Sequence, residues 1–418
     1  MIILSSLGTG RYREARYQSE HHAEDVTTGL FATVLHKWHP EAKIKILATK
    51  AARESENGRY LQEHHPDFEL VDIPEGRNEA EAWALFETLA DPAVLPEGER
   101  VIFDITHGLR SLPMLGFLAL SYLRVVRNIT IEKVYYGALE LTPKGGEKPL
   151  TPVVDLTPLV NLLDWAQAAK RFQDTGDARL FKALLRDKEH HGLNSLADKL
   201  TQFSEAMVYN RTREASHVVN QLKGDVSKSR KAVMTHKQTP FNLVFDQIDG
   251  AIRELCTEDV SDGQSLLIAH YGQIQWYLQR KHYAQAIALA REWLVSFWLW
   301  KAHGHFDHEH NELISREVAE DWLKEKANAD KLRKMSWQEA LDAVSNKPKN
   351  RDIAWYPLIK LWGELADVRN DFAHFGFRSN PKSTTTLQRD ISELIARIPA
   401  AVRPLGLELN PHTQGNAS

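Results

Sequence analysis

Residues 369–374, Arg-Asn-Asp-Phe-Ala-His, set a guanidinium and an imidazole five positions apart near the end of the chain. An imidazole with an unperturbed pKa of ~6.5 gains and loses a proton near neutral pH, which suits acid–base work. A guanidinium fork grips two phosphate oxygens at once. Together they suit proton transfer beside a phosphate group. Arg369 is the candidate for the phosphate and His374 for the proton. Asn370, four residues before His374 and on the same helical face, is a candidate to orient His374 or a ribose. The bland alternative is an interhelical salt bridge and a surface histidine. Spacing alone does not decide, because Arg and His recur five apart at Arg16/His21, Arg59/His64 and Arg186/His191.

Two further stretches have the composition of anion cradles. One is Leu7-Gly8-Thr9-Gly10-Arg11-Tyr12, after a short apolar run. The other is Asp104-Ile105-Thr106-His107-Gly108-Leu109-Arg110, after Val101–Phe103. Short Gly-rich turns at strand ends present backbone N–H groups to phosphate oxygens. Arg11 and Arg110 are cations placed to meet the same phosphates. Equally, Asp104, Thr106 and Ser111 have the side chains that cap a turn and a helix start. A dinucleotide fingerprint is not met, because Arg13 stands at its third glycine, and no Gly-Lys-Ser/Thr phosphate loop occurs.

The elements that must position these residues divide the chain. Up to about residue 155, strand signals (2–7, 44–48, 68–73, 101–103, 131–139) alternate with helical ones (20–38, 78–90, 112–126). Continuous apolar strands separated by helices predict a parallel sheet covered on both faces, a Rossmann-like α/β unit. Ligands of such sheets sit outside the carboxyl ends of strands where chain order reverses. Residues 141–157 are rich in Pro and Gly and suit a linker. Beyond it only helical patterns remain. The organisation expected is therefore α/β followed by all-α: 1–155 an α/β domain, 156–260 a helical connecting region, 261–418 a second helical domain. In the last, Leu358, Leu361, Trp362, Leu365, Val368 and Phe372 repeat at helical spacing, with Gly376 and Pro381 as stop signals. Arg369 falls on that apolar stripe, so it must snorkel, find a partner or sit in an anion site.

Composition removes several classes. The chain has 418 residues, 43% hydrophobic and 26% charged, the make-up of an ordinary soluble protein of more than one domain. A net charge of −4 gives no global attraction for nucleic acid, so any RNA contact is local. The single cysteine, Cys256, forms no internal disulfide and points to a reducing, cytoplasmic setting. No signal peptide or membrane span is expected from the sequence.

An Asp-Ile-Thr-His-Gly run after a buried strand resembles the DxTHG motif of CRISPR-associated CARF proteins. The Leu-Gly-Thr-Gly loop is similar to the same family, as are Asp155–Leu159 and Phe172–Asp177. Arg369–His374 resembles the R-x4-H motif of HEPN ribonucleases. The resemblance covers nearly the whole chain, with residues 178–260 matching only in being helical. It implies an ancillary endoribonuclease of type III CRISPR immunity that cuts single-stranded RNA without a metal, switched on when the CARF domains of a homodimer, or a higher even-numbered oligomer, bind cyclic oligoadenylate. Cyclic tetra-adenylate is favoured over hexa-adenylate as activator. The family marks Gly8, Thr9, Gly10, Thr106, His107 and Gly108 for the ligand, and Arg369 and His374 for catalysis. It also raises a secondary ring-nuclease activity, with Thr106 or His107 positioning the scissile ribose.

Two other readings compete. A metal-dependent hydrolase would draw on His303–His310, yet this run has no cysteine and lacks the spacing of a helical zinc pair, so no metal site is expected. A non-catalytic sensor would bind the same ligand and use its helices to hold a partner. The basic stretch Lys223–Lys237 is either a solvated helix face or a local RNA contact.

Overall fold

A computed structural model describes residues 1–409 except 20–21, 146–148, 186–190, 236–238, 254, 258, 305–311, 348–349, 375 and 378. The chain forms two compact units, Met1–Leu163 and Asp164–Ser418. Residues 156–260 and 261–418, which the sequence separates, thus share one helical unit apart from the first few.

The first unit has eight strands: β1 (Ile2–Ser6), β2 (Ala15–Ser19), β3 (His22–Thr28), β4 (Lys43–Ala48), β5 (Glu69–Asp72), β6 (Arg100–Asp104), β7 (Thr130–Gly137) and β8 (Leu150–Asp155). Its helices are α1 (Phe31–Trp38), α2 (Lys50–Glu54), α3 (Glu56–His64), α4 (Glu79–Leu89) and α5 (Ser111–Val126). They form one sheet in the order β3-β2-β8-β7-β6-β1-β4-β5. β1 pairs in parallel with both β4 and β6. From β1 the chain builds outward through β4 and β5 on one side, then returns through β6 and β7 on the other. Chain order therefore reverses between β1 and β6.

β1 is buried along its whole length. Its successive side chains enter opposite faces, as the strand period requires. Ile2 and Leu4 join a core with Leu85, Leu120 and Leu123 of α4 and α5. Ile3 joins another with Phe31, Leu35, Ala52 and Leu61 of α1–α3. Helices thus cover both faces, which is why the strands are continuous apolar runs.

Three expectations need correction. Residues 22–28 are a strand, and the helix is confined to 31–38. Val26-Thr27-Thr28 favours strand through its β-branched side chains. Residues 150–155, expected to be linker, form β8, antiparallel to β7 and parallel to β2. With the antiparallel β2–β3 pair, this makes the sheet mixed rather than all-parallel.

The second unit is helical. Its elements are α6 (Thr157–Thr175), which starts within the first unit, α7 (Arg179–Leu185), α8 (His191–Val208), α9 (Thr212–Thr235), α10 (Thr239–Arg253), α11 (Gly263–Gln279), α12 (Tyr283–His303), α13 (Glu312–Asn328), α14 (Asp330–Lys334), α15 (Trp337–Asn346), α16 (Tyr356–Ala373), α17 (Thr384–Ala396) and α18 (Ile398–Val402). One core runs through them, including Phe203, Trp293, Phe297, Leu358, Leu361 and Leu365. The motif at Phe172–Asp177 is a structural corner of it. Gly176 adopts φ +74°, where an added Cβ would overlap Trp276. Arg171 and Arg179 both bind the Asp177 carboxylate, at 2.6 and 2.7 Å. The basic stretch Lys223–Lys237 follows α9 as far as Thr235. No described helix is long and apolar enough to cross a membrane.

Candidate functional site

The loops after β1 and β6 meet. Leu7, Gly8, Thr9, Gly10, Arg11 and Tyr12 from one, and Thr106, His107, Gly108 and Leu109 from the other, line a single cleft of about 350 Å³ with Thr49 and Ala52. It opens where chain order reverses, at the carboxyl ends of the strands. Seven of the eight residues singled out for a ligand line it. Arg110 does not; it is exposed and opens α5 without a capping bond, and Ser111 caps nothing.

The loop geometry has identifiable causes. Buried Asp104 accepts the Ser5 hydroxyl at 2.5 Å and the Thr106 N–H at 2.8 Å. The Ser6 hydroxyl donates to the His107 carbonyl. Thr106 Oγ1 accepts the Gly137 N–H at 2.8 Å, tying the loop to the end of β7. Gly108 adopts φ +97°, and an added Cβ would lie 2.6 Å from Ser6 Oγ. Only glycine fits there. At Gly8 an added Cβ would stand 3.3 Å from the Gly108 nitrogen, so the two glycines are what let the loops pass.

The first loop is stapled from outside. Asn57 Nδ2 donates to the Gly8 and Gly10 carbonyls, at 2.8 and 2.7 Å. The Gly8 N–H donates to the Tyr12 hydroxyl at 2.6 Å. Burial raises the Tyr12 pKa to about 12, so the phenol stays neutral. The Tyr12 ring stacks on His107, 4.0 Å between centroids. His107 Nε2 accepts the Phe31 N–H at the start of α1, at 3.2 Å. Burial lowers the His107 pKa, which keeps the imidazole neutral and suits it to accept that bond.

Ser5, Ser6, Tyr12 and Asn57 were not singled out from sequence. The two serines had a signal, since polar residues closing an apolar strand point to the next loop. Asn57 had none, because it is 49 residues from Gly8.

In the helical unit, Leu358, Leu361, Trp362, Leu365 and Val368 are buried on one face of α16 as the stripe requires. Arg369 is not: it is exposed, and its guanidinium donates to Asn370 Oδ1 at 3.3 Å. Although the helical period puts it on the stripe, it stands in the last part of α16, where a long side chain reaches solvent. Buried Asp371 is the unforeseen member of the run. Its Oδ2 accepts the Lys382 N–H at 3.3 Å and so anchors the chain that follows the helix. Arg369 and Asn370 line one groove of α16. His374 closes the helix as an exposed C-cap residue and does not line that groove. A turn of ~140° separates Arg369 from His374, so one copy does not bring them to the same point. Of the His303–His310 run, residues 305–310 lie outside the described ones; among the described residues no histidine, cysteine and carboxylate cluster has metal-ligand geometry.

Residues 161–260 match the family model described as CRISPR-associated protein MJ1674, second domain. The CRISPR-associated protein MJ1674 of Methanocaldococcus jannaschii is 29% identical over 127 residues, 30% of this chain. Part of the helical unit is thus similar to the second domain of a CRISPR-associated protein. The match spans only 19% of the length of that relative. Among solved structures, Enterococcus italicus Csm6 bound to cyclic hexa-2′-fluoro-hexa-dAMP aligns over 98% of this chain and 95% of its own, with a TM-score of 0.46 and 11% identity, a likeness too distant to carry an argument.

Proposed function

We propose that this protein is a cyclic-oligoadenylate-activated, metal-independent endoribonuclease of type III CRISPR defence. The observation that supports this best is the single cleft formed by both Gly-rich loops at the β1–β6 reversal. Gly8, Thr9, Gly10, Thr106, His107 and Gly108 form the ligand cradle, with Arg11 at its mouth and Arg110 beyond it. Neutral backbone groups and the Tyr12–His107 stack suit a ligand of phosphates and aromatic bases. The activator is cyclic tetra-adenylate in preference to hexa-adenylate. Activation requires that the ligand bind the active arrangement more tightly than the resting one.

Cleavage takes place at a site shared by two copies. His374 of one copy and Arg369 of the other face the same phosphate across a twofold axis, which answers their divergence on a single helix. His374 takes the 2′-OH proton, and the oxygen attacks the adjacent phosphorus. The bond to the 5′ oxygen breaks, and that oxygen takes a proton from the protonated imidazole of the second copy's His374. Arg369 stabilises the phosphorane charge, and Asn370 orients the ribose. The products carry a 2′,3′-cyclic phosphate and a 5′-OH. The pairing surface is on α5, where Met114, Leu118, Tyr122, Val125 and Val126 are exposed within a ~120° arc. Ring-nuclease chemistry in the cleft finds little support, since His107 Nε2 and Thr106 Oγ1 already accept backbone N–H bonds.

The test is cleavage of a fluorogenic single-stranded RNA in EDTA, with and without cyclic tetra- and hexa-adenylate. Ligand-dependent cleavage that falls at least ~100-fold in His374→Ala is the expected result. Cleavage that survives the substitution would make His374 structural. Tight ligand binding without cleavage would assign the helices to a partner instead.

A further inference from the structure

Arg369 and Asn370 form part of a groove of about 650 Å³ between α13, α14 and α16. Its α16 side runs from Ile359 to Asn370, ~16 Å along the helix. That length accommodates more than one nucleotide. Gly363 and Ala327 both line it, and an added Cβ at Gly363 would meet the Ala327 Cβ at 3.4 Å, ordinary van der Waals contact.

The cations along the groove fall into two groups. Arg291 is held by Glu292 and Glu320, at 2.5 and 2.6 Å. Lys360 lies 3.6 Å from Glu364, which Arg397 also binds at 2.8 Å. Lys324, Arg333 and Arg369 are exposed and have no carboxylate partner among the described residues. These three are free to meet phosphate without breaking an existing pair. Asp321 and Asp367 line the same groove, so its attraction comes from point contacts rather than a strong net field. That agrees with a chain of net charge −4.

We propose that this groove holds the RNA strand flanking the scissile phosphate, with Lys324 and Arg333 each gripping a backbone phosphate beyond the one at Arg369. The proposal rests on the nuclease reading above and assigns that site its substrate path. Contacts to phosphate position a strand without reading its sequence. Each phosphate contact on a single strand also contributes ~0.7 to the slope of log affinity against log salt.

The experiment compares Lys324→Ala/Arg333→Ala with its parent, both carrying His374→Ala, by fluorescence anisotropy of a labelled single-stranded RNA over a salt series. The expected result is at least ~10-fold weaker binding and a slope flatter by ~1.4, equal for different sequences. Gly363→Met, which fills the groove with a neutral side chain, weakens binding without flattening the slope. In the cleavage-competent protein the double substitution raises KM and leaves kcat within about twofold. An unchanged salt slope overturns the proposal whether or not the wild type cleaves. Absence of cleavage by the wild type with either ring overturns the nuclease reading alone, because the binding arm does not depend on it.

Discussion

Three imidazoles in this molecule do different things because their surroundings differ. His374 is exposed at a helix end, open to a substrate. His107 is held neutral by burial and spends Nε2 on a backbone N–H. His270 lies inside the helical core, and burial pushes its pKa down to about 4, with Arg213 adding to the effect. A folded-state value below the unfolded ~6.5 means that the unfolded chain takes up the proton first. Stability is therefore complete above about pH 6.5 and falls as pH drops towards 4, by about 3 kcal/mol in full and about 2 kcal/mol at pH 5. Urea unfolding of the helical unit at pH 7 and pH 5 is expected to show that loss, and His270→Gln to remove most of it. An equal loss in both proteins would place the titration elsewhere. Sequence alone does not separate these three residues: His270 has neighbours much like those of an exposed histidine, and only tertiary packing takes it out of water.

Elements were legible where one periodicity ruled. The apolar spacing of residues 358–368 gave α16. They were illegible where stability is borrowed from neighbours. β2 alternates buried and exposed residues over only five positions, and β8 carries a proline, so each depends on the strands beside it, β2 on β3 and β8, and β8 on β7 and β2. The two candidate loops were legible as glycine-rich turns, but their meeting was not, because it depends on Ser6 and Asn57 reaching across the fold. Gly108 is where that meeting is most exposed to test. Gly108→Ala combines a positive φ with a Cβ overlapping the Ser6 hydroxyl, and is expected to cost about 1–3 kcal/mol. Thermal melting should fall accordingly, with ligand affinity weakened at least ~10-fold. A variant that melts and binds like wild type would contradict the loop arrangement.

At the scale of the molecule, the α/β-then-helical order was open to reading from composition alone, since strand signals stop near residue 155. The run of exposed apolar residues on α5 was not, because Leu112–Val126 is apolar nearly all round and offers no clue to which side stays uncovered. Met114, at 68% exposure, and Val125, at 67%, are well beyond what a scattered surface residue needs. If that face pairs two copies, a charge placed on it will separate them. Leu118→Glu is expected to halve the mass measured by light scattering and to abolish ligand-dependent cleavage while leaving the fold intact. An unchanged mass would move the pairing surface elsewhere.

The bond from the Phe31 N–H to His107 has a mechanical meaning. The first turn of a helix leaves its amides without partners inside the helix, and here one of them is satisfied by the loop after β6. That loop cannot lift, tilt or close without taking the imidazole away from α1. A molecule seated between the glycines is thus in touch with a lever: whatever it does to His107, it does to the root of a helix lying under the opposite face of the cleft's own sheet from α5. Occupancy and backbone movement are joined there by one proton.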